Sequence, residues 1–153
     1  MKHFVLDGLP VVELVDNDAS MAGKLLSDLG AEVVKIENPR MDRSRRYGPF
    51  LTGESEKTQD LRWISCNLGK QSLQLDLDSQ SGCSVLADLV SMADIFLEST
   101  PPGYLARRGL DYATLSRKNP SLVMVSISPF GQNGPYSSLV GDDLVLWAMG
   151  GML

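Results

Sequence analysis

Four arginines, Arg40, Arg43, Arg45 and Arg46, crowd into the segment NPRMDRSRRYGP. Guanidinium groups at that spacing form a local cationic patch suited to a small anion; the same residues also read as a solvated loop with scattered surface ion pairs. The loop SPFGQNGPYSS is a second candidate, because Gly131, Gly134 and Pro135 follow an apolar run, where open α/β sheets place ligands. Other chemistries fail on their residues. The one histidine, His3, stands at the N-terminus, which argues against a Ser-His-Asp or Cys-His hydrolase. Cys66 and Cys83 have the spacing of neither a metal-ligand pair nor a disulfide framework and read as reduced structural thiols. Gly69-Lys70-Gln71-Ser72 lacks both the upstream glycine and the hydroxyl directly after lysine that a phosphate-binding P-loop requires.

The elements that must carry these residues follow from hydrophobic periodicity. Val11 to Val15 is short, apolar and β-branched, a buried strand; Ala19 to Leu29 repeats apolar residues at helical spacing, with Gly30 as the residue that ends the helix; Glu32 to Glu37 is a second strand. Strand, helix, strand implies parallel pairing through a right-handed crossover, hence an α/β fold. Asn38 to about Arg62 turns polar, basic and Gly/Pro-punctuated, longer than a routine connection and so either functional or mobile. The pattern then repeats: a strand at Ser72 to Leu77, a helix capped by Ser79 that buries Val85, Leu86, Leu89 and Val90, and a strand at Asp94 to Glu98. After Pro101-Pro102-Gly103 come a short helical stretch, a helix capped by Asp111 and closed at Asn119-Pro120, and a buried strand at Leu122 to Ile127. Asp142 and Asp143 open a last helical run, LVLWAMGGML, that stops within apolar residues; a finished domain usually closes on polar ones, so the chain reads as truncated.

Dinucleotide binding, which a βαβ start invites, fails at the first turn. Asp16-Asn17-Asp18-Ala19-Ser20 offers no glycine for close approach of a pyrophosphate and two carboxylates where an anion would sit, so NAD and FAD are not expected, and Glu37 reads as a solvated strand-end residue. A net charge of −5 argues against a nucleic-acid partner, no apolar run reaches membrane-spanning length, and the N-terminus is no signal peptide; a cytoplasmic protein without metal chemistry is expected.

Longer matches narrow the reading. LLSDLGAEVVKIENP (Leu25 to Pro39), NLGKQSLQLDLDSQSG (Asn67 to Gly82), the stretch from Ala93 to Tyr136 that ends in SISPFGQNGPY, and GDDLVLWAMGG (Gly141 to Gly151) resemble, in order and spacing, the amino-terminal part of class III CoA-transferases, the CaiB/BaiF family. The resemblance implies a Rossmann-like, mostly parallel sheet with helices on both faces, residues 1–153 forming the N-terminal, CoA-binding part of a CoA-transferase domain. It implies transfer of CoA between an acyl-CoA and a carboxylic acid by way of an aspartyl-CoA thioester, and an interlocked homodimer for a full-length chain. A carboxylate nucleophile splits a difficult exchange into easier covalent steps. That aspartate falls beyond Leu153 in the family pattern, so no catalytic residue is assigned here, and Asp142 and Asp143 read as helix-capping groups.

Carried over position by position, the resemblance places CoA contacts at Asn17 and Asp18, Asn38, Leu75, Asp76, Leu77, Asp78, Ser99, Thr100 and Arg107. Arg107 matches in type, as a planar multi-donor cation for phosphate. Asp16 and Asp18, Asn38 in place of an arginine, and Ser99-Thr100-Pro101 depart from the usual pattern, which keeps open a non-catalytic CoA-binding subunit or degenerate domain; the arginines past Glu37 are candidates for displaced cationic contacts. A racemase branch of the family carries a histidine where Asp142 stands, which argues for transfer over racemisation.

Overall fold

The computed structural model describes residues 4–15, 20–39, 45, 48–52 and 58–152. β1 (Pro10–Leu14), α1 (Ser20–Asp28) and β2 (Glu32–Glu37) make the first βαβ unit. Helix α1 stops where the sequence says it must: Gly30 adopts φ +104°, its N–H bonds Ser27 O, and the Ala31 N–H bonds Leu26 O. That pair of bonds satisfies carbonyls the helix end would orphan, and only a glycine takes the left-handed turn without strain.

The chain continues through β3 (Phe50–Thr52), β4 (Thr58–Asp60), α2 (Leu61–Asn67), β5 (Gln71–Gln74), α3 (Gln80–Ser91), β6 (Ile95–Glu98), α4 (Tyr112–Lys118), β7 (Val123–Ser126) and α5 (Asp143–Met149). Five strands form a parallel sheet in the order β5-β2-β1-β6-β7, while β3 and β4 pair antiparallel as a separate ribbon. The sheet thus winds outward in both directions from β1 and β6, and strand order reverses between those two.

Each face has its own core. Val12, Ile36, Phe96 and Leu77 meet Leu86 and Val90 of α3 and Leu115 of α4; Val11, Val15, Val33 and Leu97 meet Ala22 and Leu26 of α1 on the other side. Phe96 and Leu86 are fully buried, and each such side chain contributes about 1.5–3 kcal/mol relative to exposure. Helices on both faces of a parallel sheet are the expected arrangement.

Several details differ from expectation. The segment Asn38 to Arg62 is not an uninterrupted loop, for it holds the β3–β4 ribbon and runs into α2, whose start is capped by Asp60 Oδ1 accepting the Trp63 N–H at 2.9 Å. β5 ends at Gln74 rather than Leu77, because Asp76 O accepts both the N–H and the hydroxyl of Ser79 and turns the chain into α3. β7 is a sheet edge, with Val123 and Val125 exposed rather than buried, since α1 on that face packs over β1 and β2. Val85 of α3 also faces outward.

Candidate functional site

The carboxyl ends of the parallel strands gather most of the residues that the sequence singled out. Ser99 extends the β1–β6 ladder by one bond, its N–H donating to Leu14 O at 3.1 Å, and so stands beside the end of β1 where strand order reverses. Thr100 donates its N–H (2.7 Å) and its hydroxyl (2.6 Å) to Glu98 Oε2, and Gln132 Nε2 from the Gly-rich loop reaches Glu98 Oε1 at 3.3 Å. The buried Glu98 carboxylate therefore ties together the connections that leave β6 and β7. Asn17 and Asp18, with Asp16, lie outside the described residues.

A second group forms past β5. The Leu75 N–H bonds Glu37 O at 3.0 Å, Asp76 Oδ1 accepts the Asp78 N–H, and Leu77 turns its side chain into the core while its carbonyl faces the next loop. Arg108 reads that loop: Nε donates to Leu77 O at 2.8 Å, Nη2 to Asp78 Oδ1 at 2.6 Å, and the guanidinium lies 3.8 Å over the Tyr104 ring. Burial pushes the Tyr104 hydroxyl above its ordinary pKa, against the lowering effect of Arg108. Arg107, one residue earlier, is exposed and has no ion-pair partner among the described residues. Residues 99–110 thus run from β6 to the β5 side of the sheet, where Arg108 meets Leu77 and Asp78, while the Arg107 guanidinium lies beside Gly103. Asn38 stands exposed directly after β2.

Glu37 is not the solvated residue expected at a strand end. It is buried, accepts the Ser72 hydroxyl at 2.6 Å and holds Arg45 through two bonds of 2.8 and 3.0 Å. Arg45 also lies 3.5 Å over the Trp63 ring, so this arginine is engaged in structure rather than free to meet an anion. Arg40, Arg43 and Arg46 lie outside the described residues, as does His3.

Reading the sequence missed a buried charge cluster on the α1 face. Lys70 Nζ donates to Glu13 Oε1 at 2.9 Å, with Oε2 at 2.7 Å but out of line for a hydrogen bond, and Lys35 Nζ lies 3.6 Å from Oε1. All three side chains are essentially inaccessible to water. Burial lowers the Lys70 pKa below the ordinary lysine value, and the Glu13 bond and charge oppose that shift. A signal was present: Glu13 and Lys35 each interrupt an apolar strand, and two opposite charges at mid-strand in consecutive parallel strands are poised to pair.

The charges at the strand ends are unevenly paired. The buried carboxylates near the strand ends are engaged, Glu37 by the Arg45 guanidinium and the Ser72 hydroxyl and Glu98 by neutral donors from Thr100 and Gln132, while Arg107 offers an exposed guanidinium without an ion-pair partner among the described residues. No group of three or more His, Cys, Asp or Glu side chains suited to a metal occurs among the described residues, and no described helix is long and apolar enough to cross a membrane. Asp142 accepts the Val145 N–H at 3.0 Å as the cap of α5.

Comparison with known proteins places the chain in a family. A family model described as CoA-transferase family III matches residues 6–153. The chain is 37% identical over 143 residues to a succinyl-CoA:(R)-benzylsuccinate CoA-transferase subunit, BbsE, of Thauera aromatica, covering 94% of this chain and 35% of that one. It is 38% identical over 152 residues to a succinate–glutarate CoA-transferase of Agrobacterium fabrum, covering 97% and 38%. Among solved structures, a CaiB/BaiF family protein from Brucella suis superposes with TM-score 0.90 at 38% identity, over 98% of this chain and 40% of that one. The chain therefore spans about two-fifths or less of the length of these relatives.

Proposed function

The chain belongs to CoA-transferase family III, and from that premise we propose that it forms the CoA-holding part of an enzyme that moves CoA from an acyl-CoA to a carboxylic acid. The observation that carries this reading is that the 99–110 segment spans the carboxyl ends of the strands, from the Gly-rich loop tied to Glu98 to the 75–78 turn gripped by Arg108, with Arg107 exposed and without an ion-pair partner among the described residues. Leu75, Asp76, Leu77, Asp78, Ser99, Thr100, Asn38 and Arg107 supply backbone and side-chain contacts to the nucleotide end of CoA, joined by Asn17 and Asp18. Holding that end leaves the thioester free to react and lets remote binding energy act at the reacting carbon.

Transfer runs through an aspartate. Its carboxylate attacks the donor thioester carbonyl, the CoA thiolate leaves, and a mixed anhydride forms. The thiolate then attacks the aspartyl carbonyl and releases the donor acid, giving an enzyme-bound CoA thioester, from which the acceptor carboxylate takes CoA by the reverse steps. Asp142 is occupied as a helix cap, and the reacting aspartate comes from outside residues 1–153. A cytoplasmic, interlocked homodimer completes the proposal.

Titration calorimetry with CoA tests the cradle. Saturable binding that Arg107→Ala weakens supports it; no binding at millimolar CoA, or binding indifferent to Arg107→Ala, sinks it. For the chemistry, the native gene product is incubated with a panel of acyl-CoAs and its mass measured. A CoA adduct on an aspartate is expected, and its absence throughout would leave a binding subunit.

A further inference from the structure

Two buried ammonium groups hold the backbone on either side of residues 16–19. Lys35 Nζ donates to the carbonyl of Val15, just past β1, and approaches Ser20 Oγ at 3.4 Å; Lys70 Nζ donates at 2.7 Å to the carbonyl of Ser20, the first residue of α1. Both turn to one carboxylate, Glu13, and Lys70 is braced from the end of α2 by Asn67 Oδ1 at 3.1 Å. This junction leaves β1 beside β6, where the sheet reverses its order.

A buried ion pair is a poor way to gain stability. Desolvation cancels much of the attraction, and an apolar replacement of similar volume is often neutral or better. What Leu or Met in these positions cannot do is donate hydrogen bonds to two backbone carbonyls. Lys70 can direct one donor to Ser20 O, one to Glu13 and one to Asn67, which uses all three. The α2–β5 connection is thereby fastened to the start of α1, 50 residues earlier in the chain.

We infer that Lys70, with Lys35 and Glu13, is a positioning residue for CoA binding: the triad sets the separation and direction of the β1 end and the α1 start at the strand-order reversal. The inference rests on the CoA reading above, and its structural half can be judged without it. Three proteins are compared, wild type, Lys70→Met and Lys70→Arg, with Glu13→Gln/Lys70→Met as a fourth that leaves no lone carboxylate if the single variant fails to fold. Hydrogen exchange of peptides spanning residues 12–24 is expected to quicken by about tenfold or more in Lys70→Met or the double variant, with β6–β7 unchanged. CoA affinity, measured well below the melting temperature, is expected to fall about tenfold or more, and Lys70→Arg to recover part of it.

Exchange that is unchanged at the junction, or that rises uniformly over the sheet, overturns the inference. So does loosened exchange with unaltered CoA affinity. Wild-type protein that binds no CoA overturns the proposed function and the binding half together, while the exchange result still decides whether the triad positions the junction.

Discussion

Gly23 of α1 sits so close to Glu13 of β1 that a Cβ added to it would fall 1.7 Å from Glu13 Oε2 and 3.2 Å from Lys70 Nζ. A glycine in a helix interior is a local cost of about 1 kcal/mol relative to alanine. Here it is the condition for seating a buried carboxylate between helix and sheet.

Gly23→Ala decides between these two effects by its sign. Helix propensity alone would raise stability by about 1 kcal/mol. Displacing Glu13 from Lys70 leaves buried charge uncompensated, a loss of about 3–5 kcal/mol. Denaturant unfolding is expected to show a clear net loss, and a gain would mean that the carboxylate has somewhere else to go.

Gly82→Ala applies the same reasoning to α3. Its added Cβ would come 2.1 Å from Asp76 O, which is backbone and cannot swing away. Helix α3 must then lift from the 76–79 turn. Lower thermal stability is expected, together with weaker CoA binding through Leu75 to Asp78, since the turn and the loop are one structure. Unchanged CoA affinity in a folded Gly82→Ala protein would detach that loop from the site.

Neighbouring arginines are expected to behave oppositely. Arg108→Ala removes three hydrogen bonds and a ring contact, and leaves Leu77 O with only the weak Cys83 thiol as a side-chain donor, at a cost of about 1–3 kcal/mol in stability. Lysine at 108 should not rescue it, because an ammonium has no flat face to stack on Tyr104 and lacks the rigid planar fork with which Nε and Nη2 reach Leu77 O and Asp78 Oδ1 together. Arg107→Ala, an exposed change, should move stability by less than about 0.5 kcal/mol while reducing CoA affinity. Melting curves of the two variants settle which arginine is structural.

Acid should weaken the α4 cap. Burial works to raise the Asp111 pKa, but hydrogen bonds from the Thr114 hydroxyl and N–H outweigh it, and the net shift is downward. With the folded-state value below the unfolded one, the contribution is whole above the ordinary aspartate pKa of about 4 and disappears as pH falls through the folded-state value. Asp111→Ala should cost about 1 kcal/mol near pH 7. The gap to wild type should narrow below about pH 4, and a gap independent of pH would show that the carboxylate charge contributes nothing.

Sequence alone carried the winding of the sheet a long way. Periods of two and 3.6 residues, with caps at Ser79 and Asp111 and a left-handed Gly30, are local signals, and the βαβ rule then leaves few ways to join the strands. The short elements between Asn38 and Gln71 escaped because three-residue strands and a seven-residue helix are too brief to show a period. Val123 and Val125 looked buried because composition does not say which strand ends up at an edge.

The site divides in the same way. The resemblance to class III CoA-transferases, not residue types or spacing alone, is what singled out Leu75 to Asp78, Ser99, Thr100 and the arginine after the Pro-Gly turn as candidates. Only the folded chain could show that Arg108 grips the 77–78 carbonyl and carboxylate while Arg107 stays free, or that Glu37 is buried against Arg45 and Ser72. The local pattern fixes which residues share a face of one element, because backbone geometry repeats every few residues. Which charge meets which partner depends on packing across 57 residues of chain between Glu13 and Lys70, where burial makes a pairing decisive that water would have left indifferent.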